Sequence, residues 1–167
     1  MNDILIIRQP KTKKEFELMY NLRWRILREP WHQPRGSEKD ELESECYHFI
    51  AILLDKVVGT ARFHKLNESA AQIQYLAVEE PFQRKGIGGK LLEALHLTAM
   101  NQLLKFTILN ANETAWKFFE KMGYKTTEDG PLLFGEIRQK KMIRKFSRKD
   151  LKMQEIMRNL RNTLLPK

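Results

Sequence analysis

The spacing of apolar residues over the first part of the chain predicts a short strand followed by a helix. Residues 4–7 form a β-prone run that ends before Pro10. From Thr12, a residue type that caps helix N-termini, apolar positions recur at helical spacing as far as Leu27. Residues 28–37 contain two prolines and a glycine, and they predict a loop.

Three β-prone runs follow in close succession, at residues 47–54, 57–63 and 71–78. Asp55-Lys56 separates the first two runs, and residues 67–69 separate the second from the third. Connections this short are typical of neighbouring antiparallel strands. The sequence therefore predicts an antiparallel meander in this region.

The second half of the chain alternates between helical and strand-like patterns. The predicted elements are a helix from Gly86 to about Leu104, a strand at 106–109, a helix capped by Asn112 and ending before Gly123, a strand pair at 124–127 and 133–143, and a helix from Ser147. This order predicts an α/β (α+β) protein with a mixed, mostly antiparallel central sheet flanked by helices. We predict one domain over residues 1–146 and a basic amphipathic helix over residues 147–167.

The positive charge of the chain is concentrated at its C-terminal end. Residues 140–167 contain ten lysines and arginines but only two acidic residues, so they carry +8 of the net charge of +9. The preceding residues are almost neutral. A nucleic-acid partner would have to bind through the tail alone, and the composition disfavours one for the body of the protein.

Composition also excludes several classes of protein. The longest uninterrupted apolar run, residues 49–54, is far shorter than the roughly 20 residues that a membrane-spanning helix needs. The first residues lack the basic and small-residue features of a signal peptide, so we expect a cytoplasmic protein. Because Cys46 is the sole cysteine, it can form neither an internal disulfide nor a cysteine-cluster zinc site, and we predict no metal.

The candidate chemistry lies at residues 83–89, where the third strand has ended and a helix begins. Glycines at 86, 88 and 89 allow close approach of a diphosphate to the backbone, and helix N-termini attract anions. Arg84 and Lys85 add positive charge at the same place. Leu91 excludes both a P-loop, which needs Ser or Thr there, and the dinucleotide fingerprint, which needs a third glycine there.

These residues resemble a known family. Residues 83–88, Gln-Arg-Lys-Gly-Ile-Gly, are similar to the Gln/Arg-x-x-Gly-x-Gly/Ala signature of the GNAT superfamily of acetyl-CoA-dependent N-acetyltransferases. Residues 112–124 resemble its second signature, Asn-x-x-Ala-x-x-x-Tyr-x-x-x-Gly-Phe/Tyr. The resemblance covers residues 4–145. Residues 22–30 and 130–142 further resemble the ElaA-like branch, although Gln139 stands where that branch has a histidine.

The resemblance implies an enzyme that transfers an acetyl group from acetyl-CoA, its co-substrate, directly to an amine on a small molecule or peptide. The implied cofactor-binding residues are Leu76, Ala77, Val78, Arg84, Lys85, Gly86, Ile87, Gly88, Gly89, Asn112 and Phe119. The backbone N–H of Val78 would polarise the thioester carbonyl. Gln72 replaces the family's glutamate base and Phe119 replaces its tyrosine acid, which leaves Glu79 as the candidate proton acceptor, with His64 and Glu136 as alternatives.

Other interpretations stay open at this point. The two replacements are also compatible with a non-catalytic acyl-CoA-binding or sensing module, and the basic tail with a nucleic-acid-associated protein. The acidic residues 38–45 either line a site for a cationic acceptor or form a solvated helix face. The C-terminal helix either packs on the domain, pairs with a second copy in a homodimer, or binds an anionic surface.

Overall fold

The computed structural model describes residues 4–164. It contains seven strands and four α-helices within that range: β1 Ile6–Arg8, α1 Lys13–Leu27, β2 Tyr47–Leu53, β3 Lys56–Lys65, β4 Ala70–Val78, α2 Ile87–Asn101, β5 Phe106–Asn112, α3 Trp116–Lys121, β6 Lys125–Asp129, β7 Gln139–Lys145 and α4 Arg148–Leu164. Short 3-10 turns occur at Glu29–Trp31, Glu43–Glu45, Glu80–Phe82 and Glu113–Ala115.

The strands form one sheet in the order β1-β2-β3-β4-β5-β7-β6. The pairs β1/β2, β2/β3, β5/β7 and β6/β7 are antiparallel, whereas β4 and β5 are parallel. The prediction of a mixed, mostly antiparallel sheet is therefore confirmed. In the hairpin between β2 and β3, Leu54 and Asp55 have φ angles of 50° and 59°, so the turn lies one residue earlier than predicted.

The described residues divide into two compact units. The first unit contains residues 4–64 and 73–95, and the second contains residues 65–72 and 96–164. The boundary that the sequence suggested, at residues 146 and 147, does not coincide with this division. The assignment of a 1–146 domain with a separate helix stays a prediction.

Helix α1 begins and ends as its sequence predicts. The Thr12 hydroxyl accepts a hydrogen bond from the Glu15 amide at 3.2 Å, which is the N-cap arrangement. Hydrogen bonds from Arg8 lower the pKa of Glu15 to about 2. The helix ends at Leu27, two residues before a 3-10 turn that contains Pro30.

A pair of buried arginines lies at the centre of the first unit. Arg23 of α1 and Arg62 of β3 have fully buried side chains. Arg23 donates to both carboxylate oxygens of Glu43, at 3.2 and 3.1 Å, and to His48 Nδ1 at 3.0 Å. Arg62 donates to the same carboxylate at 2.5 Å and to Asp40. Two cations are thus neutralised by two carboxylates in the interior.

The acidic segment 38–45 therefore has a structural role that neither sequence interpretation anticipated. Its described helical structure is the single 3-10 turn Glu43–Glu45. Asp40 and Glu43 instead pair with the buried arginines, and Glu38 is buried and accepts the Gly36 amide at 2.7 Å. Hydrogen bonds from Arg62 lower the pKa of Asp40. The expectation of a solvated helix face is wrong for Asp40 and Glu43, whose partners are the buried arginines. The expectation that the segment lines an acceptor site stays a prediction.

The second unit corrects one further prediction. Asn112 precedes the 3-10 turn Glu113–Ala115 that leads into α3, but its side chain caps neither. It accepts a hydrogen bond from Gln139 of β7 at 2.8 Å instead. The end of α3 agrees with the sequence, because Gly123 follows it with a φ of 87°. Helix α4 is capped by Ser147, whose hydroxyl accepts the Asp150 amide at 3.0 Å.

We expect Glu43→Ala to lower the free energy of unfolding by about 3 kcal/mol, because it leaves two buried guanidiniums short of their shared carboxylate. Chemical denaturation measures this loss. Glu41→Ala is the matched control, since Glu41 is exposed in the same segment, and we expect it to change stability by less than about 0.5 kcal/mol. Equal losses for the two variants would contradict the role given to Glu43.

Candidate functional site

The glycine-containing loop leads directly into the first turn of α2. After the 3-10 turn Glu80–Phe82, Arg84 and Gly86 adopt left-handed backbones with φ of 59° and 82°. Ile87 is then buried and anchors the start of the helix, whereas Arg84, Lys85 and Gly86 are exposed. A Cβ atom at Gly86 would meet nothing within 4 Å, so the outer side of the loop is open.

The start of α2 retains free hydrogen-bonding capacity. The amide of Lys90 donates to the Gly86 carbonyl at 3.1 Å, which closes the first turn. The amides of Gly88 and Gly89 precede that bond, so they are among the first N–H groups of α2, which have no acceptor within the helix. Backbone donors, the positive end of the helix dipole and the Arg84 and Lys85 side chains therefore meet at one place, as an anionic phosphate requires.

Hydrogen bonds fix the residues that join β4 to this loop. The Glu79 amide donates to the Val58 carbonyl at 2.8 Å, and the Gln83 side chain donates to the Val78 carbonyl at 2.9 Å. Ala77 is buried, while Leu76 and Val78 are half-buried. Leu76–Val78 and Arg84–Gly89 both belong to the first unit, and the hydrogen bond from Gln83 links the end of β4 to the loop. Their roles in cofactor binding stay a prediction.

Strand β4 changes its conformation before it reaches these residues. Its described parallel pairing with β5 covers Ala70–Gln72. Tyr75 then has a φ of 54°, a left-handed backbone that is rare for an aromatic residue inside a strand. The tyrosine ring lies within 5.1 Å of the guanidinium carbons of Arg23, Arg28 and Arg62. These cation–π contacts hold the irregular segment in a fixed position.

The candidate base Glu79 is engaged in an ion pair. Both of its carboxylate oxygens accept hydrogen bonds from Arg25 of α1, one of them at 3.0 Å. The hydrogen bonds that Arg25 donates to Glu79 raise the pKa of Arg25. The ion pair with Arg25 holds the carboxylate of Glu79, the residue after Val78. Each carboxylate oxygen still has a lone pair that can accept another hydrogen bond.

The two alternative bases differ in their surroundings. Burial lowers the pKa of His64, and its Nδ1 atom is buried without a hydrogen-bond partner among the described residues. Glu136 is exposed. Burial raises the pKa of Cys46 to about 11, so its thiol is a poor nucleophile near neutral pH.

The residues of the second signature belong to the second unit. Asn112 is half-buried and bonded to Gln139, as described above. Phe119 is buried, and its ring packs edge-on against Phe118 and Tyr124, at centroid distances of 5.1 and 5.7 Å. Phe119 is therefore part of a packed aromatic cluster.

Tyr124 joins a buried chain of hydrogen bonds that the sequence analysis missed. Arg144 Nη1 donates to His96 Nδ1 at 2.7 Å, so His96 carries its proton on Nε2 and donates to the Tyr124 hydroxyl at 2.7 Å. The Tyr124 hydroxyl also shares a hydrogen bond with Thr107 Oγ1, at 2.8 Å. Burial lowers the pKa of His96 to about 3 and raises the pKa of Tyr124.

The comparison with known proteins agrees with this geometry. A sequence profile of the Acetyltransferase (GNAT) family matches residues 16–124, well over half of the chain, including the glycine loop and the second signature. The chain belongs to the GNAT acetyltransferase family. It is an acetyl-CoA-dependent acyltransferase, which confirms the predicted enzyme class.

Relatives and solved structures cover most of this GNAT chain. The uncharacterized N-acetyltransferase YjcF of Bacillus subtilis is 25% identical over 134 residues, which are 80% of this chain and 95% of that protein. An aminoglycoside 6'-N-acetyltransferase complexed with coenzyme A has a TM-score of 0.73 at 16% identity, over 86% of this chain and 98% of its own. Escherichia coli ElaA has a TM-score of 0.71 at 17% identity, with coverages of 86% and 99%. Both structures share the fold.

Residues 4–164 contain neither a membrane-spanning helix nor a group of metal-ligating side chains. None of the helices there is both long and apolar enough to cross a bilayer. Nor do three or more His, Cys, Asp or Glu side chains group there as metal ligands would.

The His96 chain generates a prediction about acid stability. Because the pKa of His96 falls from 6.5 in the unfolded chain to about 3 in the folded protein, the unfolded state binds the extra proton between these values. Stability is then fully present above pH 6.5 and is lost as the pH falls, by up to about 1.4 kcal/mol per pH unit from this group. We expect His96→Gln to lose stability less steeply with falling pH, in denaturation series at fixed pH values.

The matched control is His32→Gln, at an exposed histidine. We expect it to keep the full slope of the parent protein. Part of the slope should survive in His96→Gln, because burial also lowers the pKa values of His48 and His64. If the free energy of unfolding fell equally steeply with pH in the parent and in His96→Gln, the role given to His96 would be wrong.

Proposed function

We propose that this GNAT enzyme transfers the acetyl group of acetyl-CoA directly to the nitrogen of an amine acceptor, without an acyl-enzyme intermediate. One observation carries the proposal: the open loop of residues 84–89, with left-handed Arg84 and Gly86, leads into the first turn of α2, whose leading amides have no acceptor within the helix. The donors and charges of this loop fit a pyrophosphate. We assign Arg84, Lys85, Gly86, Ile87, Gly88 and Gly89 to its binding.

The residues of β4 before the loop are assigned to the acyl end of the cofactor. We infer that backbone groups of Leu76, Ala77 and Val78 bind the pantetheine arm. The short pairing of β4 with β5 and the left-handed Tyr75 support this assignment, because they interrupt regular strand pairing ahead of these residues. The bound thioester supplies the activated acyl group, and the Val78 N–H is proposed to polarise its carbonyl. The assignment of Asn112 and Phe119 to cofactor binding stays an expectation from the family resemblance.

A proton acceptor is needed for the amine. A primary alkylamine with a pKa of about 10.4 is almost fully protonated at neutral pH and cannot attack in that state. We propose that Glu79 accepts this proton, directly or through water. Glu79 follows Val78 in the chain, and Arg25 holds its carboxylate. The acceptor class is left to experiment: small amines, polyamines, peptide α-amines and lysine side chains are all candidates.

We expect Gly88→Val to weaken acetyl-CoA binding by more than about tenfold, because a β-branched side chain obstructs phosphate approach to the first turn of α2. The loss of one charge-assisted hydrogen bond is enough for an effect of that size. Calorimetric titration with acetyl-CoA measures the affinity. Glu93→Val introduces the same side chain at an exposed position of the same helix and should bind normally. Near-normal affinity of a folded Gly88→Val protein would exclude the loop as the phosphate site.

We expect Glu79→Gln to lower kcat by about a hundredfold or more and to leave acetyl-CoA affinity unchanged, since it removes a proton acceptor but no phosphate contact. The assay is release of the CoA thiol with a panel of the four amine classes, over a range of pH. Glu80→Gln, at the exposed neighbouring residue, should keep full activity.

Arg25→Gln separates catalysis from packing. It breaks the same ion pair as Glu79→Gln but retains the carboxylate, so we expect it to keep much more activity. Equal loss in both variants would reduce Glu79 to a structural role and leave His64 and Glu136 to be tested. Tight acetyl-CoA binding by the parent protein without thiol release from any amine would instead identify a sensing module.

A further inference from the structure

Helix α4 turns its apolar side towards solvent. Its apolar residues form an exposed stripe, with between 44% and 76% of each surface accessible: Met153, Ile156, Met157, Leu160 and Leu164. The side chains that are half-buried are mainly those on the other side, namely Leu151, Gln154 and Arg158. Asn101, at the end of α2, lines a cavity together with Gln154, Arg158 and Asn162, and two residues at one edge of the stripe, Met157 and Arg161, reach the same cavity. A helix that only packs against its own domain would bury its apolar side and expose its polar side.

The stripe has basic residues along its borders. Successive residues of an α-helix are rotated by about 100°, so the five stripe residues fall within an arc of about 100°. Lys152 lies on one border of this arc and Arg161 on the other, each about 40° beyond the last apolar residue. Lys149 lies within the arc at the first turn, and all three side chains are exposed. Long basic side chains at such positions can reach anionic groups above an apolar layer.

The two acidic residues of α4 do not oppose this arrangement. Asp150 accepts hydrogen bonds from the Ser147 amide and hydroxyl, at 2.9 and 2.8 Å, so its charge is used at the helix N-terminus. These bonds lower the pKa of Asp150. Glu155 lies about 160° from the centre of the stripe, on the opposite side of the helix. The surroundings of the stripe are therefore positively charged.

This charge decides which occupant fits the stripe. Five basic and two acidic residues give α4 a net charge of +3, and the whole chain carries +9. A second copy would bring like charges together along the same stripe, whereas an anionic surface would neutralise them. We propose that α4 docks on the surface of an anionic lipid bilayer and lies in the plane of the interface. The stripe enters the boundary of the acyl chains while Lys149, Lys152 and Arg161 meet the lipid phosphates.

Vesicle co-sedimentation of the full chain tests the proposal. We expect binding to vesicles in which half of the lipid is phosphatidylglycerol and half phosphatidylcholine, and at least about tenfold weaker binding to phosphatidylcholine alone. Replacing Lys152 and Arg161 together by Gln should weaken binding to the anionic vesicles roughly tenfold or more, since each basic residue near the surface contributes about a fivefold effect. Equal binding to both vesicle types would overturn the proposal.

The apolar part of the interaction has a matched pair of variants. Leu160→Gln should weaken anionic-vesicle binding by roughly tenfold, because a stripe residue no longer enters the bilayer. Leu132→Gln makes the same change at a similarly exposed leucine outside α4, 59% exposed against 51%, and should bind normally. Both sites are exposed, so both variants should fold, which circular dichroism verifies.

Other occupants of the stripe give distinct outcomes. A dimer in light scattering that Leu160→Gln dissociates, with no vesicle binding by the parent, would assign the stripe to a second copy and overturn the proposal. Salt-sensitive binding to a DNA duplex that is indifferent to Leu160→Gln, again without vesicle binding, would overturn it in favour of nucleic acid. These readouts do not depend on acetyl transfer, so their failure leaves the proposed reaction untouched.

Discussion

Burial of two guanidinium groups is the interaction on which the first unit depends. A buried cation needs an opposite charge and hydrogen-bond acceptors nearby, and Arg23 and Arg62 obtain both from the shared Glu43. The Nε atom of each arginine is buried without a partner among the described residues. Burial alone would lower the pKa of Arg62, but hydrogen bonds to Asp40 and the charge of Glu43 raise it, so the group stays charged. Arg62 also donates to Gln74 at 2.7 Å and lies over Tyr75. The same charges that fix α1 therefore fix the strand that leads to the candidate site.

Much of the fold and the centre of the candidate site could be predicted from local patterns. The periodicity of α1, its Thr12 cap and the glycine after α3 depend on neighbouring residues in the chain, and each agrees with the structure. The loop at residues 84–89 was recognisable because glycines and basic residues coincide with a change from strand to helix. These features are local, so a sequence contains the information needed to find them.

The features that were missed depend on partners distant in sequence. Arg62 lies in a strand whose neighbours Ala61 and Phe63 are also fully buried, and an apolar pattern gives no reason to bury an arginine among them. One signal was available: a single arginine in an apolar strand, preceded by an acidic segment, favours a buried ion pair. Asn112 was misassigned because the competing partner, Gln139, is supplied by a different strand. Glu79 gave no sign of its pairing with Arg25, 54 residues earlier.

The first unit is discontinuous in the chain, and this affects the order in which it can assemble on the ribosome. Residues 65–72 belong to the second unit but are synthesised before residues 73–95, which complete the first. At about 5–20 residues per second, the growing chain exposes Arg62 and its two carboxylates before Gln74 has been made, and Arg25 before Glu79. A nascent chain that stalls in this interval holds the charged centre without the strand that covers it. Translation through residue 95 is therefore a precondition for this half of the enzyme to reach its native state.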